Sequence, residues 1–111
     1  MTQYDKEIFT QAVYEIVRCI PRGRATSYAA IAKAVGYANL SRMVGRAMCQ
    51  CGEDVPAHRV VNSQGVLTGR TAFGNGNEMQ QLLESEGVSV ENCRINDWKN
   101  VFWNPLEEME L

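Results

Sequence analysis

No run of about 18 apolar residues occurs in the chain, so the sequence offers no segment able to cross a bilayer as a helix. The opening residues Met1-Thr2-Gln3-Tyr4-Asp5 lack the charged and apolar regions of a secretory signal, and the expected compartment is the cytoplasm. Cysteine is sparse and irregularly placed, as Cys19, Cys49, Cys51 and Cys93, so reduced thiols are expected and a disulfide framework is not. Zinc is disfavoured as well: Cys49 and Cys51 are separated by a single residue, closer than ligand pairs usually stand, and no second pair follows. The stretch Gly69-Arg70-Thr71-Ala72-Phe73-Gly74-Asn75-Gly76 is a glycine-rich loop, yet no Gly-Lys-Ser/Thr comes after it, which excludes a nucleotide-binding phosphate cradle. Repeats and low-complexity stretches are missing too. What remains is one globular domain of 111 residues with no metal or cofactor expected.

Acidic residues are missing from one long stretch, and that absence is informative. The net charge of −2 divides into +4 over residues 1–48 and −6 over residues 49–111. Between Ile16 and Met48 stand Arg18, Arg22, Arg24, Lys33, Arg42 and Arg46 without a single acid, the local balance that a phosphate-facing surface needs. On charge alone a solvated basic face is the preferred reading.

The helix pattern of the same stretch favours the first explanation. Ile8, Ala12, Val13, Ile16, Val17 and Ile20 recur at helical spacing and predict an amphipathic helix from about Tyr4 to Ile20, broken by Pro21-Arg22-Gly23-Arg24. Thr26 or Ser27 can cap a second helix, Tyr28 to Val35, which Gly36 stops. Asn39 or Ser41 can cap a third, running to about Met48. Two short helices across a glycine-containing turn read as a helix-turn-helix, with the third helix as the groove-entering one. Arg59-Val60-Val61 and Val66-Leu67 around the turn Asn62-Ser63-Gln64-Gly65 predict a short β-wing. Asn77 can cap a last helix, its Met79, Leu82 and Leu83 facing the core, ending at Gly87. The sequence leaves the order of the tail after about residue 104 open.

Four segments, in order, resemble the O6-alkylguanine-DNA alkyltransferases. Val55-Pro56-Ala57-His58-Arg59-Val60-Val61 is similar to their Pro-Cys-His-Arg-Val segment, Ser27-Tyr28-Ala29-Ala30-Ile31-Ala32 to the start of their second helix, Arg42-Met43-Val44-Gly45-Arg46-Ala47-Met48 to their recognition helix, and Leu82-Leu83-Glu84-Ser85-Glu86-Gly87 to their last helix. The likeness extends from about Ile8 to Asn104. At the alkyl-accepting position the chain carries Ala57, whose methyl cannot act as a nucleophile. The pattern therefore resembles the alkyltransferase-like proteins, which bind alkylated guanine without repairing it.

That resemblance implies a mainly α, single winged helix-turn-helix domain of the alkyltransferase C-terminal type. It implies a non-enzyme that docks in the minor groove of double-stranded DNA, flips O6-alkylguanine out of the stack and hands it to nucleotide excision repair proteins, acting as a monomer. Arg42 is the expected finger filling the vacated place and Tyr28 the residue pressing on the flipped nucleotide; Ser41, Gly45, Arg46 and Ala47 complete the DNA face. Val55, Pro56, Ala57 and Arg70 are the expected lesion pocket, with Ala57 as its floor where many relatives hold tryptophan. His58 and Glu86 match a proton relay that has no thiol to ionise; both are read as structural, Glu86 reaching His58 through a neighbour or water, with Arg59 bracing loops. Two alternatives stand beside this reading: a small winged-helix regulator with a vestigial pocket, and a divergent transferase acting through Cys49 or Cys51.

Overall fold

The computed structural model describes residues 5–72 and 77–109. Helix α1 spans Lys6–Arg18, capped by Asp5, whose carboxylate accepts from the Ile8 N–H at 3.1 Å. The predicted start at Tyr4 lies outside the described residues. One position of the expected apolar stripe is corrected: Ile8 is 69% exposed, and Phe9 takes the inward place with Val13, Ile16 and Val17.

Strand β1, Thr26–Ser27, leads directly into α2, Tyr28–Val35. Ser27 is the cap, its hydroxyl accepting from the Ala30 N–H at 3.1 Å, and Gly36 closes the helix with φ +99°, a conformation that a Cβ would strain. Helix α3 spans Ser41–Gln50. Neither Asn39 nor Ser41 caps it. The cap position belongs to Leu40, which packs against the core, so hydrophobic burial sets this helix start where a polar side chain was expected.

A 3-10 turn, Ala57–Arg59, precedes strand β2, Val60–Val61. The expected reversal at Asn62–Gly65 is present: the Asn62 N–H donates to the Val66 carbonyl at 3.1 Å, while the Asn62 side chain accepts from the Gln64 and Val66 N–H groups. The strand partners differ from a simple wing. β2 pairs in parallel with β1, Thr26 opposite Val60 and Ser27 opposite Val61, and Val66 bridges to Arg94.

Arg70–Ala72 forms a second 3-10 turn, and α4 spans Glu78–Ser85 with Asn77 at its cap position and Gly87, φ +89°, beyond its end. Met79 and Leu83 are buried as expected; Leu82 is not, at 43% exposed. Residues 73–76 of the glycine-rich loop lie outside the described residues. The hairpin of β3, Val90–Glu91, with β4, Arg94–Ile95, was not foreseen. The tail folds into short helices α5, Trp98–Val101, and α6, Pro105–Glu108. Arg24 holds it, donating to the carbonyls of Val101 and Phe102 at 2.9 and 2.6 Å and to the Glu108 carboxylate. Trp98 packs beneath Gly65 and donates to the Ser63 carbonyl at 3.0 Å.

Helices α1, α2 and α3 enclose one core cluster that includes Trp103; α4 and the hairpin enclose a second around Val61, Leu67 and Met79. β1–β2 joins the two, and the Ala57 turn sits at that seam.

Candidate functional site

Arg42 and Arg46 stand one helical turn apart on α3, both exposed and so on one solvent face. Ser41 and Gly45 are half-buried beside them. Ala47, expected on the same face, is 4% exposed and belongs to the core, its carbonyl accepting from the Tyr14 hydroxyl at 2.8 Å. A residue five positions after Arg42 is turned away from it by the 3.6-residue period, so Ala47 serves helix packing.

Tyr28 opens α2, and the helix crossing lays its ring over Gly45: a Cβ there would meet the ring at 3.9 Å. The hydroxyl reaches Gly69, where a Cβ would stand only 2.9 Å from it, so glycine is what lets the two approach. Burial pushes the Tyr28 hydroxyl above its ordinary pKa; a hydrogen bond with the Thr68 side chain pulls the other way, and nearby Cys49 adds to the rise. Behind Tyr28 lies a small pocket of about 20 Å³ lined by Tyr28, Gly45, Met48, Cys49, Ala57, Val60, Gly69 and Met79.

On the other side of Ala57 a much larger cleft, about 880 Å³, is walled by Val55, Pro56 and Leu82 and bordered by Arg18, Glu53, Asp54 and Glu78. The two share Met48, Cys49 and Ala57. Of the residues assigned to a pocket from the sequence, Val55, Pro56 and Ala57 meet here. Arg70 does not: it lines neither cavity, and its Nη1 donates to the Leu67 carbonyl at 2.9 Å. Met48, Gly69 and Met79 join the pocket without having been assigned to it, and Cys49 joins it too, weighed from the sequence only as a rival acceptor thiol. Met48 closes the recognition-helix motif, a position that signalled it; Met79 read only as core, and nothing local marked Gly69, which is brought in by the chain path.

Behind Ala57, His58 is buried and its Nε2 lies 2.8 Å from Glu86 Oε2. The contact is direct, where an intervening neighbour or water was expected. Arg59 grips the same carboxylate through Nε and Nη2, the latter at 2.7 Å, and its Nη1 donates to the Ile20 carbonyl, so it does brace loops. The Gly23 N–H adds a further bond to Oε1. Burial alone would raise the Glu86 pKa; the bonds from Arg59, His58 and Gly23 outweigh it and hold the carboxyl at about 2. With both faces of this unit committed to one another, it fixes the 3-10 turn that presents Ala57.

The fold and site thus define a small helix-turn-helix domain with a small pocket between its second and third helices and the Ala57 turn. Residues 8–88 match the model of the family described as the 6-O-methylguanine DNA methyltransferase, DNA binding domain. Alkyltransferase-like protein 1 of Schizosaccharomyces pombe is 33% identical over 105 residues, covering 89% of this chain and 96% of its own length. The DNA base-flipping protein of Escherichia coli is 35% identical over 103 residues, covering 89% and 77%. The crystal structure of S. pombe Atl1 in complex with damaged DNA containing O6-carboxymethylguanine superposes with a TM-score of 0.81 at 31% identity, covering 95% of this chain and all of that one. The chain belongs to the alkyltransferase DNA-binding-domain family and is a homologue of its alkyltransferase-like members.

Proposed function

We propose that the chain is a non-catalytic sensor of O6-alkylguanine in double-stranded DNA. The observation that carries this reading is the small pocket at Ala57: Tyr28 and Gly45, placed there by the helix-turn-helix, converge on a methyl group where alkyl transfer would need a thiolate. The likeness to a relative crystallised on damaged DNA supports the same conclusion.

The helix-turn-helix docks in the minor groove through Ser41, Gly45 and Arg46, and Arg42 enters the duplex to fill the place of the extruded nucleotide. Extrusion costs a few kcal/mol, least for a base whose pairing the adduct has already weakened. At about 20 Å³ the cavity has room for a single water, so a base enters only when a wall gives. Met48, unbranched and half-buried, is the wall best able to yield. Tyr28 presses on the flipped nucleotide, and Arg70, beside the cavity, is within one residue of Gly69 on the same turn. His58 and Glu86 act as a brace, the relic of a relay with no thiol to serve. Nothing converts the bound base to a product, so the complex persists and marks the site for nucleotide excision repair proteins. The protein works as a monomer in the cytoplasm and needs no cofactor.

Cys49 lines the cavity beside Ala57, which favours the rival of transfer through that thiol. The chain's one histidine is bound to Glu86 and is not free to activate it. Fluorescence anisotropy on matched duplexes with guanine or O6-methylguanine, followed by intact-mass measurement of the recovered protein, separates the readings. Tighter lesion binding with unchanged mass is expected. Added alkyl mass would establish transfer, and equal affinities would return the chain to ordinary DNA binding.

A further inference from the structure

We propose that the cleft beyond Ala57 sorts the O6-substituent of a flipped guanine by charge, taking alkyl chains that end in a protonated amine in preference to chains that end in a carboxylate. The inference rests on the lesion-sensor reading and names the substrates that such a sensor of this particular sequence favours.

The first support is continuity. The small cavity and the 880 Å³ cleft share Met48, Cys49 and Ala57, so what parts them is the Ala57 methyl together with the two flexible or small side chains of Met48 and Cys49. A substituent directed at Ala57 has the cleft as its way out, and the methylene part of the chain meets Val55, Pro56 and Leu82 there.

The second support is the balance of charge around that space. Glu53, Asp54, Glu78, Arg18 and His58 line the cleft. Arg18 and Asp54 neutralise each other through an ion pair of 2.8 Å, and His58 is held by Glu86 from behind. Glu53, on the loop after α3, and Glu78, in the first turn of α4, remain among the residues lining the same space, on different elements, with no ion pair among the described residues. An ammonium at the end of a chain that enters the cleft is attracted by both; a carboxylate is repelled by both.

Bulk electrostatics run the other way. An amine on the adduct lowers the negative charge of the duplex, and a carboxylate raises it, so attraction to the basic face of α3 would favour the carboxylate. A preference for the amine therefore reports the cleft. Because both glutamates are solvent-accessible, salt screens them, and the preference is on the order of tenfold at low salt, shrinking as the Debye length falls.

The test is anisotropy binding of the whole chain to four duplexes of one sequence, with guanine, O6-pentylguanine, O6-(4-aminobutyl)guanine or O6-(3-carboxypropyl)guanine at one position. The expected order is aminobutyl tightest, then pentyl, then carboxypropyl. In the folded double variant Glu53→Gln/Glu78→Gln the ratio of aminobutyl to carboxypropyl affinity should collapse towards unity, and in Glu53→Lys/Glu78→Lys it should invert. Equal affinities for the two charged adducts, with pentyl still preferred to guanine, would overturn the charge sorting and leave the sensor reading standing. No preference for pentyl over guanine would overturn the reading and the inference together. A ratio that survives both double variants would overturn the assignment to Glu53 and Glu78. Melting curves of the variants establish that each ratio is read on folded protein.

Discussion

Glu86 stands just before the turn at Gly87, and two segments of chain meet on its carboxylate: the Gly23 turn and the Ala57–Arg59 turn, the latter through His58 and Arg59. Its side chain is only 6% exposed, so removing the charge leaves the Arg59 guanidinium buried against an amide that offers one acceptor in place of two. Glu86→Gln is expected to lower stability at pH 7 by about 3 kcal/mol, the size that a pKa moved from 4.5 to about 2 implies. The sign follows from a folded-state pKa below the unfolded one. The carboxylate's contribution is fully present above about pH 4.5 and is lost as pH falls towards 2. Denaturant midpoints measured from pH 7 to pH 2 should fall steeply in that window for the natural chain and more gently for Glu86→Gln. Parallel curves would place the stabilisation elsewhere. The pair His58 and Glu86 was legible from the motif order; their direct contact was not, because the chain path brings them together across 28 residues of sequence and no local pattern marks it.

At the scale of elements, what the chain spells locally came through. Ser27 before α2, Gly36 after it and Gly87 beyond α4 act as the residues that start and stop helices for reasons confined to a few positions. The failures share a different cause. β2 pairs with β1, some 34 residues earlier, and the tail is anchored by Arg24; neither partner is visible in the pattern of the segment itself. Ile8 and Phe9 were interchanged because adjacent apolar residues fit a helical stripe almost equally well, and the neighbouring elements decide which is inside. The start of α3 shows the contest most clearly, since two good capping residues flank a leucine that packing places at the cap. Ser27→Ala is therefore expected to cost about 1 kcal/mol in denaturant unfolding and to weaken lesion preference through Tyr28, the next residue. Asn39→Ala, at a position the sequence offered as a cap, should change stability by less than about 0.5 kcal/mol. A larger loss at Asn39 than at Ser27 would mean that side-chain capping does govern α3.

Across the whole molecule, charge has to be counted by where each side chain is spent. The acid-free stretch carries six bases, which by sequence alone suggests six phosphate contacts. In the fold, Arg18 pairs with Asp54, Arg22 donates to the Ser85 carbonyl, and Arg24 clamps the tail through Val101, Phe102 and Glu108. Those three hold the basic half of the chain to the acidic half. Lys33, Arg42 and Arg46 are exposed, with no such bond among the described residues, and on the proposed reading they are the ones left for DNA. Since each neutralised phosphate contributes about −0.9 to the slope of log affinity against log salt, three contacts give a slope of about −3 and six would give about −5. Anisotropy titrations of an unmodified duplex between about 50 and 200 mM potassium chloride should return the shallower value, and Arg46→Ala should reduce it by about one further unit. A slope near −5 would show that Arg18, Arg22 and Arg24 exchange their internal partners for phosphate on binding. Binding would then loosen the seam at Arg24 and with it the folded tail, and the tail's amides would lose protection from hydrogen exchange in the complex. With the shallower slope the tail stays clamped, and the domain meets DNA as a rigid body whose opening is confined to the wall of the cavity.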